Sequence, residues 1–202
     1  GVMKPLRGSA PVREFFTTFS TNPLLAIFAG TLVTVIVQSS SATVGLTMTL
    51  AGSGLVGLQG AVFLVLGDNI GTTITAQLAA IGSSRTARQA AMAHTLFNLL
   101  GASYFALLAS SENGFFLNAI RRTSSDAMRQ VANAHTIFNI ANTIVFIPLV
   151  PLLTKLCKLV LPAGKEEIES RHPELHLDLN LLDSPALALD TLNREMAVMA
   201  KF

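Results

Sequence analysis

Apolar residues run along this chain in long charge-free blocks interrupted by short polar clusters. From Phe15 to Gly67 there are 53 consecutive residues without Asp, Glu, Lys or Arg, whereas one bilayer crossing takes about 20. The run therefore holds more than one element. Its apolar stretch Leu24 to Val37 stops at Gln38-Ser39-Ser40-Ser41, and apolar character resumes from Ala42 to Leu50. Two short helices meeting at a polar tip fit that order. Backbone that leaves the helix at membrane depth must be buried in protein or line a watery cavity, because lipid offers it no hydrogen-bond partner. Gly52, Gly54 and Gly57 then punctuate a turn before the apolar stretch Ala61 to Leu66.

The next interruption, Gly67-Asp68-Asn69-Ile70-Gly71-Thr72-Thr73, separates Leu66 from the milder segment Ile74 to Ile81 and predicts a second broken helix. Residues 89–111 and 130–154 are charge-free runs of 23 and 25 residues, each long enough to span as a helix. Residues 112–129 carry Glu112, Arg121, Arg122, Asp126 and Arg129 and belong at or outside an interface. Beyond Lys155 and Lys158 the composition changes. We expect a membrane unit over residues 1–160, a charged linker over 161–183 and a helical segment over 184–202. That last segment opens with Ser184-Pro185, an N-cap followed by proline, and carries Leu189, Leu192, Met196 and Met199 on one face. A soluble amphipathic helix of this kind needs a partner. Arg85, Arg88, Lys155, Lys158 and Lys165 against Arg121, Arg122 and Arg129 place the C-terminus in the cytoplasm.

Composition agrees with the pattern. Hydrophobic side chains make up 50% of the 202 residues, charged ones 13%, and the mean hydropathy is +0.54, which is too apolar for an ordinary soluble domain. The net charge of +2 is spread in small clusters rather than gathered in one patch, which argues against a nucleic-acid partner. Cys157 is the one cysteine, so there is neither an intramolecular disulfide nor a thiolate metal site. The chain opens at Gly1 without signal-peptide features, as a segment of a longer parent would.

Arg88-Gln89-Ala90-Ala91-Met92-Ala93-His94-Thr95-Leu96-Phe97-Asn98 recurs 41 residues later as Arg129-Gln130-Val131-Ala132-Asn133-Ala134-His135-Thr136-Ile137-Phe138-Asn139, with eight of eleven positions identical. If the loop between them does not cross the membrane, the two helices are antiparallel and the motif enters from opposite sides. Each copy sets His and Asn four residues apart on one helical face. His94, Asn98, His135 and Asn139 then either line a transport pathway or, as the plainer account, form interhelical hydrogen bonds.

The polar interruptions suit ion chemistry. An oxyanion needs converging hydrogen-bond donors, and a desolvated cation needs a cage of oxygens. Gln38, Ser39, Ser40, Ser41 and Thr43 offer both, and the free amides at the start of a second half-helix favour an anion; split helices in transporters bind substrate this way. The bland alternative is serines bonding back to their own helix. Asp68, the one acidic residue between Glu14 and Glu112, either balances a sodium ion or proton at membrane depth, with Asn69, Thr72 and Thr73 as neutral oxygens, or caps a helix starting near Ile70. Gly52-Ser53-Gly54 with a downstream His faintly suggests an intramembrane serine hydrolase, but no second catalytic feature has the right spacing.

These residues resemble the type II sodium/phosphate cotransporters and their bacterial relatives. The resemblance rests on Asn22-Pro23-Leu24, Gln38-Ser39-Ser40-Ser41-Ala42-Thr43, Asn69-Ile70-Gly71-Thr72-Thr73 and Ala93-His94-Thr95-Leu96-Phe97-Asn98, and it covers about residues 20–155. It implies an all-α polytopic membrane protein with broken or re-entrant helices, one half of an inverted-repeat transporter, working by sodium-coupled phosphate symport and alternating access rather than as an enzyme. The implied phosphate ligands are Gln38, Ser39, Ser40, Ser41 and Thr43. The implied sodium set is Gln38, Ser41, Asp68, Asn69, Thr72 and Thr73, with Asp68 departing from the small residue expected there. The implied partners are phosphate, co-transported sodium, the lipid bilayer, a first repeat supplied elsewhere and a homo-oligomer as an open option. The expected location is the plasma membrane, in a bacterium the inner one. Residues 184–202 resemble the start of a helical domain like the phosphate-uptake regulator PhoU. The alternative to a transporter is a membrane-embedded regulatory or scaffold subunit reporting phosphate status.

Overall fold

The computed structural model describes residues 22–162 and the positions Leu189, Asn193 and Met196. The chain divides into two compact units, Gly1–Pro162 and Ala163–Phe202. Of the second unit, the three described positions are helical, with Leu189 and Met196 exposed. The remainder of the expected linker and C-terminal helix lies outside the described residues.

The described part of the first unit is all-helical: α1 (Pro23–Val37), α2 (Ser40–Gly52), α3 (Leu58–Ala79), α4 (Arg85–Ala109), α5 (Phe115–Thr123), α6 (Ala127–Phe146) and α7 (Val150–Val160). Asn22 starts α1 by accepting from the amides of Leu24 and Leu25 at 3.1 and 3.3 Å, with Pro23 in the first turn where a missing amide hydrogen costs nothing. Gln38 ends it in the left-handed region at φ 53°, and Ser39, extended, opens α2. The expected polar tip is thus a two-residue break between half-helices of 15 and 13 residues. At about 1.5 Å per residue neither reaches across a hydrocarbon core of about 30 Å.

The expected break at Gly67–Thr73 does not occur: α3 runs unbroken for 22 residues. The polar groups there are satisfied within the helix, Asn69 donating to the Val65 carbonyl at 2.8 Å, Thr72 to Asp68 at 2.7 Å and Thr73 to Ile70 at 2.8 Å. The glycines serve close approach instead. A Cβ on Gly67 would lie 2.1 Å from the Ile27 carbonyl oxygen, one on Gly71 2.6 Å from that of Thr31, and one on Gly30 2.1 Å from that of Leu64. Small residues facing each other across α1 and α3 let the two backbones touch, as in many membrane helix pairs. Asp68 is therefore in mid-helix rather than at a cap, and the capping alternative is excluded.

The charge-free run 89–111 falls in the single helix α4 up to Ala109, but 130–154 does not form one straight span. It breaks after Phe146, and α6 and α7 meet at 85°. Pro148 has no amide hydrogen to donate and its ring would collide with the preceding turn, while Pro151 fits the first turn of α7. Helices α3 and α4 are each long and apolar enough to cross a bilayer; α6 with α7 qualifies only as a bent pair. Residues 112–129 contain a short helix that charge alone does not predict. In α5, Phe116, Leu117 and Ile120 are buried, with Arg121 and Arg122 in its last turn.

Packing gives the order. Gln59 of α3 donates to the carbonyls of Ala109 and Ser110 at the far end of α4, at 2.8 and 2.9 Å, so α3 and α4 are antiparallel. So are α4 and α6: Phe97 meets Phe146 and Phe105 meets Phe138, with ring centroids 5.1 and 5.0 Å apart, and Gly101 meets Asn142 between them. The 41-residue offset of the sequence repeat carries each of these ring pairs onto the other. The core joins Ala26, Phe63, Leu66, Phe105, Leu117 and Phe138 from five helices around α3. Leu24, Phe28, Ile36, Leu107, Ile144 and Leu159 remain exposed, an outer surface suited to lipid.

Candidate functional site

Asp68 is the eleventh of the 22 residues of α3 and is 2% exposed. The Thr34 hydroxyl of α1 donates to its Oδ1 at 2.9 Å, and Thr34 lies 3.0 Å from the Thr43 hydroxyl of α2. The first arm of the broken helix therefore bonds the mid-span carboxylate, and the second arm reaches Thr34 through Thr43. Asp68 Oδ2 is buried without a hydrogen-bond partner among the described residues. Buried charges are normally paired or bound to an ion, so the lone carboxylate oxygen makes Asp68 a candidate functional group.

That carboxylate borders a cavity of about 290 Å³. Asn69 and Thr72 join it from α3, and Ser40 from the start of α2. From α4 come His94, Phe97 and Asn98, and from α6 His135 and Asn139. Among the described residues no Lys or Arg lines it. Of the repeated residues, Asn98 and Asn139 donate to the His94 and His135 carbonyls of their own helices at 3.0 and 2.9 Å. The interhelical bond belongs to Asn142, which donates to the Phe97 carbonyl at 3.2 Å and accepts from Tyr104 at 3.0 Å.

The remaining expected site residues lie elsewhere. Gln38, Ser39 and Ser41 are exposed, and they do not border this cavity. Thr43 is buried against Thr34 and donates to the Ser40 carbonyl at 3.0 Å. Thr73 is buried with its hydroxyl turned to Ile70. Ser53 sits in the turn after α2, donating to the Leu50 carbonyl at 2.8 Å, and lies outside the cavity that holds the histidines. Sequence reasoning misses Thr34, although Gly30, Thr31 and Thr34 form a small and hydroxylic stripe within an apolar segment, which is the usual mark of a packed membrane interface.

A re-entrant hairpin folded onto an intramembrane carboxylate, beside a polar cavity between apolar spans, defines a helical integral membrane protein. Residues 5–115 match the Na+/Pi-cotransporter family, and the chain belongs to that family. It is 36% identical over 138 residues to YqeW of Bacillus subtilis (strain 168), a protein of uncharacterised function, covering 68% of this chain and 44% of that protein. It is 28% identical over 191 residues to YjbB of Escherichia coli (strain K12), named as a candidate inorganic phosphate export protein, covering 95% and 34% respectively. Over 103 residues it is 36% identical to the human sodium-dependent phosphate transport protein 2B, covering 47% and 15%. The chain thus spans less than half the length of these curated relatives. No solved structure matches it.

Proposed function

We propose that the protein containing this chain moves inorganic phosphate across the membrane together with sodium, by alternating access around paired broken helices. The carrying observation is that the hairpin meets Asp68 through Thr34, which Thr43 of the second arm contacts in turn, while Ser40 opens into the same cavity. The tip residues Gln38, Ser39, Ser40 and Ser41, with Thr43 behind them, hold phosphate. Gln38, Ser41, Asp68, Asn69, Thr72 and Thr73 serve sodium. His94, Asn98, His135 and Asn139 line the pathway. Sodium beside Asp68 offsets the negative charge of phosphate and draws the hairpin onto α3, so loaded and empty forms reorient differently. The matching tip comes from a first repeat outside this chain. Residues 1–160 form the membrane repeat, 161–183 a linker, and 184–202 the start of a cytoplasmic PhoU-like helical domain in a bacterial inner membrane. The relatives' names include both sodium-dependent transport and export, and the prevailing gradients set the direction.

The test is labelled phosphate flux in both directions in proteoliposomes holding the full-length protein, with and without a sodium gradient and with Ser40 intact or changed to Ala. Flux that needs sodium and falls in Ser40→Ala is the expected result. Well-folded protein without sodium-stimulated flux overturns the symport reading in favour of the regulatory one.

A further inference from the structure

All three asparagines at the cavity share one arrangement. Asn69 donates to Val65, Asn98 to His94 and Asn139 to His135, in each case to the carbonyl four residues back. An asparagine amide has two N–H bonds and one acceptor oxygen. With one N–H held by the helix, the second N–H and the carbonyl oxygen remain, and among the described residues no donor reaches that oxygen. Thr72 behaves alike, its proton given to the Asp68 carbonyl and its lone pairs left over. Beside His94, His135 and the remaining N–H bonds, the cavity therefore presents a set of side-chain oxygens that includes the unpartnered carboxylate oxygen of Asp68. That is a lining for a hard cation, which takes oxygen ligands.

The unbroken course of α3 makes these side chains necessary. A broken helix would release backbone carbonyls to a cation, but the α3 carbonyls around Asp68 are engaged in the helix. Neutral oxygens must come from elsewhere, and α4 and α6 supply them evenly: Asn98 and Asn139 each stand three residues before the crossing of Gly101 with Asn142. They are thus about one turn from it, on opposite sides. Asp68 has the corresponding mid-span place in α3.

We propose that Asn98 and Asn139 are direct ligands of the transported sodium ion, adding one side-chain oxygen from each copy of the repeated motif to those of Asp68, Asn69 and Thr72. The assignment rests on the sodium-coupled reading above and enlarges its ligand set. It also gives the repeated motif a role. Two helices entering from opposite sides each deliver an oxygen to one ion, so movement of either helix relative to α3 opens the cage.

The experiment is binding of radiolabelled sodium to the purified full-length protein without phosphate, with phosphate flux measured in parallel, for wild type and for Asn98→Ala, Asn139→Ala, Asn98→Asp and Asn139→Asp. Each Ala variant is expected to weaken sodium binding at least about tenfold. Each Asp variant, which keeps the oxygen, is expected to retain sodium binding. Ala variants that bind sodium as tightly as wild type overturn the assignment and leave sodium coupling standing. Asp and Ala variants that fail alike, or that fail to fold, assign the asparagines to packing and overturn it too. A wild type that carries phosphate but binds no sodium removes sodium coupling and this inference together, and leaves phosphate transport intact.

Discussion

Replacing glycine by alanine in a helix normally stabilises it by roughly 0.5–1 kcal/mol, because glycine loses more backbone freedom on folding. Gly67→Ala should do the reverse. Its methyl carbon would stand 2.1 Å from the Ile27 carbonyl oxygen and 2.8 Å from the Thr31 amide nitrogen, both backbone atoms that no side-chain rotation can clear. Restoring ordinary contact at 3.4 Å takes a retreat of α1 by about 1.3 Å. Overpacking of this kind typically costs about 1–3 kcal/mol, which outweighs the gain in helix propensity. The retreat also strains the Thr31 hydroxyl bond to the Gly67 carbonyl, now 3.1 Å, and draws Thr34 away from Asp68, now 2.9 Å, toward or past hydrogen-bond reach. Gly45, inside α2, is the internal control, since nothing lies within 4 Å of a Cβ there. Thermal melting of purified full-length protein in detergent, followed by monodisperse elution, should rank Gly45→Ala at or above wild type and Gly67→Ala clearly below it. Gly67→Ala melting at or above wild type would refute the backbone contact between α1 and α3, and with it the account of why α3 stays whole.

Gly101→Ala places a methyl 2.4 Å from Asn142 Oδ1; it should dislodge Asn142 from Tyr104 and Phe97 and lower the melting temperature, and Asn142→Ala in the same background should recover part of the loss. Thr34→Val removes the hydroxyl donor to Asp68 and should raise the sodium concentration for half-maximal phosphate flux, whereas Thr34→Ser should keep it near wild type; equal behaviour of the two would reduce Thr34 to a packing residue. Pro148→Ala restores an amide donor at the junction of α6 and α7. Spin-label distances across that junction should then report a bend smaller than the 85° of the native chain, and an unchanged distance would move the cause of the bend to tertiary contacts.

The sequence by itself determined the class and much of the layout. Long charge-free blocks have one inexpensive solvent, lipid, and a helix is the one local structure that satisfies its own backbone there. Gln38-Ser39-Ser40-Ser41 was legible as a tip because four polar residues inside an apolar run leave few alternatives. The antiparallel entry of the two repeated motifs followed in the sequence on the condition that the loop between them does not cross the membrane. What only the tertiary structure decided depended on neighbours distant in the chain. Gly67-Asp68-Asn69-Ile70-Gly71 reads locally as a breaker, yet the helix continues because α1 fills the space the glycines leave and the hydroxyls and amide bond inward. Thr34 gains its role from Asp68, 34 positions away. The asparagines of the repeat read as glue between helices, but that bond went to Asn142, placed opposite Gly101 by the crossing of α4 and α6. Local pattern sets which groups need satisfying, and the fold sets which partner arrives to satisfy them.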